Sequence, residues 1–462
     1  MRNHILFHVN GREHRVEGPE IFTTVSNWLR YDAGATGTKI VCEEGDCGAC
    51  TVLIRRSTDD EYLPVNSCIQ LICQLDGASM VTVEGLSTGG ELTPVQESMV
   101  QCHGAQCGYC TPGFVMAMSA LFETCDRVNE KQVRNGLTGN LCRCTGYEPI
   151  IKAALAVDGA AASRLRSRYP NLSDVRDGVT IDADGRTFCA PATIEEAVAF
   201  KAAHPRCTIV QGGTDVGVWI NKRNYTSPAL LSLGKIAPLF ELREDSGTIE
   251  VGASVTLSQF ETFIETLIPQ LFAILNIFGS PQIKNAGTLA GNVANGSPIG
   301  DTLPFLLVSD ARLELTGTSG TRTIPIESFY LAYKKFDLRE DEIITRIIIP
   351  RVDDVLRLYK VSRRKDLDIS AFTAAIRLRI AEGAIAEARI FYGGVGPMVL
   401  RMAKTEEFLA GKPLRLDTFE RAGVIAASEV TPISDVRGSR DYRLLLAENV
   451  MSKFWYDLPL SE

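Results

Sequence analysis

At 462 residues with 45% hydrophobic composition, the chain has material for several cores, and its length suggests three or four domains. The net charge of -8 is unevenly placed, because residues 1–150 hold 11 Lys and Arg against 18 Asp and Glu while residues 151–462 hold 37 against 38. An acidic first third argues against nucleic acid or an anionic membrane as partner and equally fits a solvated face, and no run approaches the roughly 18 apolar residues that a membrane span needs.

Taken from the start, residues 5–9, 51–54 and 80–83 read as short strands around one helix carrying Val25, Trp28 and Leu29, the pattern of a ferredoxin-like β-grasp. Thr93-Pro94-Val95-Gln96 is a helix start with Thr93 as N-cap and Gln96 three residues later, and Thr111-Pro112 repeats the cap-plus-proline device before residues 113–123. Two more helices fit residues 129–136 and 149–162, so residues 89–162 are expected as a small helical bundle after a first domain at 1–88. The polar stretch 163–190, with Arg164, Arg166, Arg168, Pro170 and Asp174 and no clear period, is expected to be a linker. Helical segments at 193–203 and 257–267 then alternate with β-rich ones at 208–210, 249–251, 313–316 and 343–349. Strands resume at 355–360 and 371–380 before a mainly helical tail, giving expected domains at 191–350 and 351–462 and a multidomain α+β class overall.

Eight of the 13 cysteines fall into two spacing patterns. Cys42-x4-Cys47-x2-Cys50 with a distant Cys68 is the plant-type [2Fe–2S] spacing, and Cys107-x2-Cys110 with Cys142-x-Cys144 pairs a CxxC with a CxC. The N-terminus is too short in apolar residues for a signal peptide, so a cytoplasmic setting is expected, where thiols stay reduced and cysteines serve metals or redox chemistry. Zinc also accepts four thiolates and would make the chain a zinc-stabilised interaction protein, and Cys107-x2-Cys110 alone reads as a thioredoxin-like dithiol; both stay open at this point. A Rieske centre needs two histidines, and only His103 is near. The other cysteines, Cys73, Cys102, Cys125, Cys189 and Cys207, read as small buried hydrophobes.

Residues 205–462 contain no histidine, so chemistry in that half falls to a cofactor. Two glycine-rich segments stand out there: Ile209-Val210-Gln211-Gly212-Gly213-Thr214-Asp215-Val216, and the run from Gly287 through Thr288, Gly291 and Asn292 to Asp301. Each reads either as a backbone nest for a pyrophosphate or as a structural turn.

With these motifs in this order, including Gln106-Cys107-Gly108-Tyr109-Cys110-Thr111-Pro112-Gly113 and Gly139-Asn140-Leu141-Cys142-Arg143-Cys144-Thr145-Gly146-Tyr147, the chain resembles the small subunit of bacterial xanthine dehydrogenases, within the molybdenum hydroxylase family. The resemblance implies that Cys42, Cys47, Cys50 and Cys68 hold the cluster nearer the flavin. It gives Cys107, Cys110, Cys142 and Cys144 to the cluster nearer the molybdenum cofactor, with Gln106 facing the pterin. It further implies a vanillyl-alcohol-oxidase-type FAD domain in which Ile209 to Val216, Phe278, Thr288, Gly291, Asn292, Asp301, Ile344 and Lys360 contact FAD, followed by a C-terminal α/β domain. Gln211 departs from the small residue usual at its place. NAD is expected near Asp215, Tyr333 and the loop from Arg363 to Asp368. The sequence leaves no room for a molybdenum domain, so a large molybdopterin-binding subunit is the expected partner, in the α2β2 assembly that the resemblance implies. Catalysis of purine oxidation is expected there, with no catalytic residue in this chain.

Overall fold

A computed structural model describes residues 2–58, 60–87, 89–161, 164–173, 175 and 177–458. The chain divides into two compact units, one of Met1–Ala237 with Gly279–Gly287 and one of Pro238–Phe278 with Thr288–Glu462.

In the first unit, Ile5–Val9 is the second strand of a five-stranded mixed sheet: it pairs antiparallel with Arg12–Val16 and parallel with the central Ser79–Val81, which continues to Thr51–Arg55 and Leu63–Asn66. The helix Val25–Tyr31 crosses it, started by the Thr24 hydroxyl accepting from the Asn27 amide. Four helices follow, Pro94–Gln101, Thr111–Leu121, Glu130–Leu137 and Glu148–Ala156, around Phe114, Met118, Val133 and Ile150. Thr93 with Gln96 and Asn129 with Gln132 form complete capping boxes. Thr111 is not a cap: Cys110 holds that position without a side-chain bond, and the Thr111 hydroxyl is buried with no partner.

The expected linker is a further correction. Its 162–163 boundary and Asp174 lie outside the described residues, yet the rest contains a short helix, Leu165–Arg168, and a hairpin, Val179–Ala183 with Arg186–Ala190. The arginines of this polar stretch find partners in the fold, Arg168 the carbonyls of Gly85 and Leu86, Arg166 the Glu61 carboxylate and Arg164 the Cys125 carbonyl and Asp126, while Arg55 donates to the Tyr169 and Pro170 carbonyls. The hairpin extends through parallel pairs to Ala229–Leu231 and Thr208–Ile209. Phe188 and Leu230 from this sheet, with Val210 and Val216 that follow its last strand, share one core with Phe7, Trp28, Leu29 and Ile72.

The second unit holds an antiparallel sheet in the order Leu242–Asp245, Thr248–Gly252, Ile343–Pro350, Arg312–Gly317, Gly320–Pro325. A four-stranded sheet follows, Val355–Val361, Phe372–Ala381, Ala384–Gly393 and Leu400–Arg401, antiparallel throughout. Its helices come after it, with Phe419, Ala422, Ala447 and Phe454 packed on Phe372, Ile376 and Tyr392.

Candidate functional site: two linked cysteine quartets

The loop carrying Cys42, Cys47 and Cys50 turns through Gly45 and Gly48, both at positive φ as a tight loop requires, and meets Cys68 just past the strand Leu63–Asn66. Cys50 and Cys68 are buried, while Cys42 and Cys47 are partly exposed. The Cys47 amide points at the Cys42 sulfur at 3.4 Å. The four sulfurs lie close enough to share protons: bonds from Cys47 and Cys68 draw Cys42 down, Cys68 draws Cys50 down, and Cys47 and Cys68 are pushed up in return by Cys42. Four thiolates so placed repel one another unless cationic iron lies among them, so the donor set fits a cluster that takes thiolates in pairs.

The second quartet forms where two loops meet. Cys107 and Cys110 precede the helix Thr111–Leu121, whose N-terminal dipole favours negative charge. The Cys110 sulfur meets that of Cys142, and Cys107 meets Cys144, so each loop gives one sulfur to each pair. Burial pushes Cys110 up to about 12. At Cys142 burial opposes, but the Thr145 hydroxyl at 3.1 Å and amide at 3.4 Å bring the thiol down. Cys107 and Cys144 are exposed, so this quartet reaches the surface of the chain. Among the described residues no group of three or more His, Cys, Asp or Glu surrounds a single ion position.

The two quartets share backbone. The Leu141 amide donates to the Cys47 carbonyl at 3.0 Å, and the Asn140 side chain donates to the Gly48 carbonyl at 3.0 Å. A Cβ on Gly48 would collide with the Gly139 carbonyl. Gln282 secures the junction, giving one amide to Asn140 Oδ1 at 2.8 Å and to Thr51 Oγ1 at 3.3 Å, while its own oxygen stays buried and unpartnered. Asn140 and Gln282 were not legible as site residues, because their bonds span 92 and 142 positions of sequence.

Ile209 to Val216 run from the short strand Thr208–Ile209 into the helix Val216–Arg223, of which Asp215 is the preceding residue. Gly213 sits at φ 72°, and a Cβ on Gly212 would collide with the Ala286 carbonyl. Thr214 belongs to the turn between them. Gln74 donates to the Gln211 carbonyl at 2.8 Å, and the Gln211 side-chain oxygen is buried with no partner, an acceptor open to an N–H such as flavin and adenine carry.

The remaining expected flavin residues lie in the second unit. Thr288 caps the helix Leu289–Asn295 by accepting from the Gly291 amide at 2.9 Å, and Asn292 accepts from Thr302 at 2.6 Å. Gly291 is exposed, and a Cβ there would meet only the Thr288 hydroxyl. Phe278 follows the helix Pro269–Ile277, and Ile344 is buried on its strand. Asp301 and Lys360 form a buried pair at 2.6 Å; Lys360 also donates to the Asp368 carbonyl at 2.9 Å and to Ser370 at 2.6 Å, so its three hydrogens are engaged. Burial raises the Asp301 carboxyl against the pull of Lys360. Tyr333 is exposed, Arg364 closes on Asp368 at 2.5 Å, and Gln106 is exposed beside the second quartet.

Four descriptions of known domains match in sequence order. A 2Fe-2S iron-sulfur cluster binding domain covers residues 7–75, and a [2Fe-2S] binding domain covers 82–155. The FAD binding domain in molybdopterin dehydrogenase covers 183–352, and a CO dehydrogenase flavoprotein C-terminal domain covers 357–458. Xanthine dehydrogenase of Drosophila subobscura is 30% identical over 97% of this chain and 39% of its own length, and aldehyde oxidase 1 of Bos taurus is 28% identical over 98% and 39%. The chain thus spans 39% of these relatives. The solved quinoline 2-oxidoreductase from Pseudomonas putida 86 aligns with a TM-score of 0.54 at 27% identity, over 58% of this chain and 94% of that one. Both quartets fall within matched [2Fe–2S] domains, which leaves the zinc and dithiol readings without support. By these four domains in this order, the chain belongs to the molybdenum hydroxylase family, as its iron–sulfur and FAD-binding portion.

Proposed function

We propose that the chain conducts electrons during oxidation of hypoxanthine and xanthine to urate, from a molybdenum centre on a large partner subunit to NAD+. The observation that carries this reading is the backbone bond from Leu141 to Cys47, which puts the two quartets in series. When bound, the clusters would pass single electrons and FAD would collect two for hydride transfer. Cys107, Cys110, Cys142 and Cys144 hold the entrance, where exposed Cys107 and Cys144 suit a partner's approach. Cys42, Cys47, Cys50 and Cys68 hold the second step, next to the loop of Gly212 and Gly213. Ile209 to Val216, Phe278, Thr288, Gly291, Asn292, Asp301, Ile344 and Lys360 bind FAD, with Lys360 fixing Asp301 rather than lending a free hydrogen. Asp215, Tyr333 and residues 363–368 receive NAD. Among the described residues no helix is long and apolar enough to cross a membrane, and the proposal includes a cytoplasmic setting and an α2β2 assembly.

The test is a steady-state assay of the complex co-purified with its molybdopterin-bearing subunit. Turnover of xanthine with NAD+ is expected, with iron, acid-labile sulfide and flavin all present. A second reading keeps the electron path and changes the substrate to an aldehyde or N-heterocycle with oxygen or a quinone as acceptor. The likeness to quinoline 2-oxidoreductase and aldehyde oxidase 1 favours it. Turnover of quinoline or an aldehyde without turnover of purine would establish that reading instead.

A further inference from the structure

The helix Val216–Arg223, which leaves the Gly212-Gly213 loop, lies directly on the first quartet. Val218 packs on Cys50, Cys68 and Ile69, and a Cβ on Gly217 would collide with the Ile69 carbonyl, so only glycine permits this approach. One turn on, Asn221 spends its amide on two backbone carbonyls, that of Glu43 at 2.9 Å and that of Cys68 at 2.8 Å. Both belong to the cysteine site: Glu43 follows Cys42, and Cys68 supplies the fourth sulfur.

Glu43 takes φ 56°, a conformation that non-glycine residues adopt only where surroundings fix it. The Asn221 bond is such a constraint. It grips the carbonyl end of the Glu43–Glu44 peptide, whose amide end is turned toward the Cys42 sulfur, the same sulfur to which the Cys47 amide donates at 3.4 Å. A donor at a peptide oxygen polarises that peptide and strengthens its N–H as a donor, so Asn221 acts on the sulfur through one intervening peptide. Hydrogen bonds to ligand sulfurs stabilise the more negative, reduced cluster and raise its potential.

We propose that Asn221 is a positioning residue that sets the potential of the site held by Cys42, Cys47, Cys50 and Cys68 from the flavin side, by clamping the Glu43 and Cys68 carbonyls. The proposal rests on the reading of that quartet as a [2Fe–2S] site. It makes the loop that contacts flavin and the loop that holds iron parts of one rigid device.

The test is a redox titration of the loaded holoprotein followed by electron paramagnetic resonance, with each of the two cluster signals assigned by whether Cys68→Ser or Cys144→Ser removes it. Asn221→Asp keeps the side-chain shape and has no hydrogen to donate. Its expected effect is a fall in the potential of the Cys68-dependent signal alone, such that the ratio of reduced to oxidised site at fixed poise drops about tenfold, ~59 mV for one electron. Asn221→Ser, with one hydroxyl donor, recovers part of the shift, and Lys222→Ala on the exposed side of the same helix leaves both signals in place. Selective loss of iron from the Cys68-dependent site, with flavin and the other signal kept, also supports the clamp. An unmoved Cys68-dependent signal in a loaded Asn221→Asp protein, equal movement of both signals, or joint loss of iron and flavin overturns it. Absence of two distinct signals from the unaltered protein would instead overturn the cluster reading itself.

Discussion

Cys144 is exposed and makes its closest approach to Cys107, so its replacement removes a sulfur from the second quartet without opening a core. Cys144→Ser is expected to lose the signal of that site and about half the iron, to slow flavin reduction by the reducing substrate, and to leave flavin reduction by NADH intact. Stopped-flow absorbance of both half-reactions checks this, and equal loss of the two would contradict the assigned order of sites. The eight cysteines were legible because thiolate ligands recur at spacings that a loop imposes. Asn221, Asn140, Gln74 and Gln282 were not, since each bonds a backbone carbonyl or a side-chain oxygen distant in sequence and so carries no local pattern. Gln211 illustrates the middle case: its departure from a small residue is visible in sequence, but its buried, unpartnered oxygen is visible only in the fold.

The helix start at Thr93 was readable because its hydroxyl cap precedes a proline and a capping-box partner, and the fold adds the same box at Asn129 and Thr256. Thr111 misled because the preceding Cys110 already occupies the cap, and the 163–190 segment misled because its arginines bind carbonyls and carboxylates distant in sequence that no periodicity reveals. One element depends on a charge in a way that acid exposes. Asp435 is held at about 2, against burial, by Arg443 at 2.7 Å and by the Arg437 amide and guanidinium at 2.9 and 3.0 Å, which tie the 433–439 turn to the helix Arg440–Tyr456. Because the folded carboxyl lies below its ordinary 3.8, its stabilisation is complete above that value and disappears as pH falls through about 2. Melting temperatures of the unaltered protein and Asp435→Asn are therefore expected to differ at pH 5 and to converge on approaching pH 2. A constant difference across that range would deny the ion pair its role.

Across the whole molecule, the order of domains followed from the order of motifs, but the grouping of the first unit did not. The sheet containing Phe188 completes the core of the first cysteine domain, and a run of polar residues between them concealed that continuity. Phe188→Ala is expected to destabilise this unit by about 3–5 kcal/mol and, through the shared core, to lower iron retention at the Cys42 quartet as well as flavin retention. Chemical denaturation with iron and flavin assays measures all three, and flavin loss with iron fully kept would show that the two sheets respond independently.

The contact of Gly48 with the Gly139 carbonyl, beside the Leu141 to Cys47 bond, has a consequence for how such a relay can vary. Gly48 and Gly139 meet main chain to main chain, with the Asn140 and Gln282 side chains bracing the contact, so the spacing of the two loops is written largely in main-chain geometry. Substitution around the sites can change how strongly each attracts an electron, while the length of the jump stays fixed.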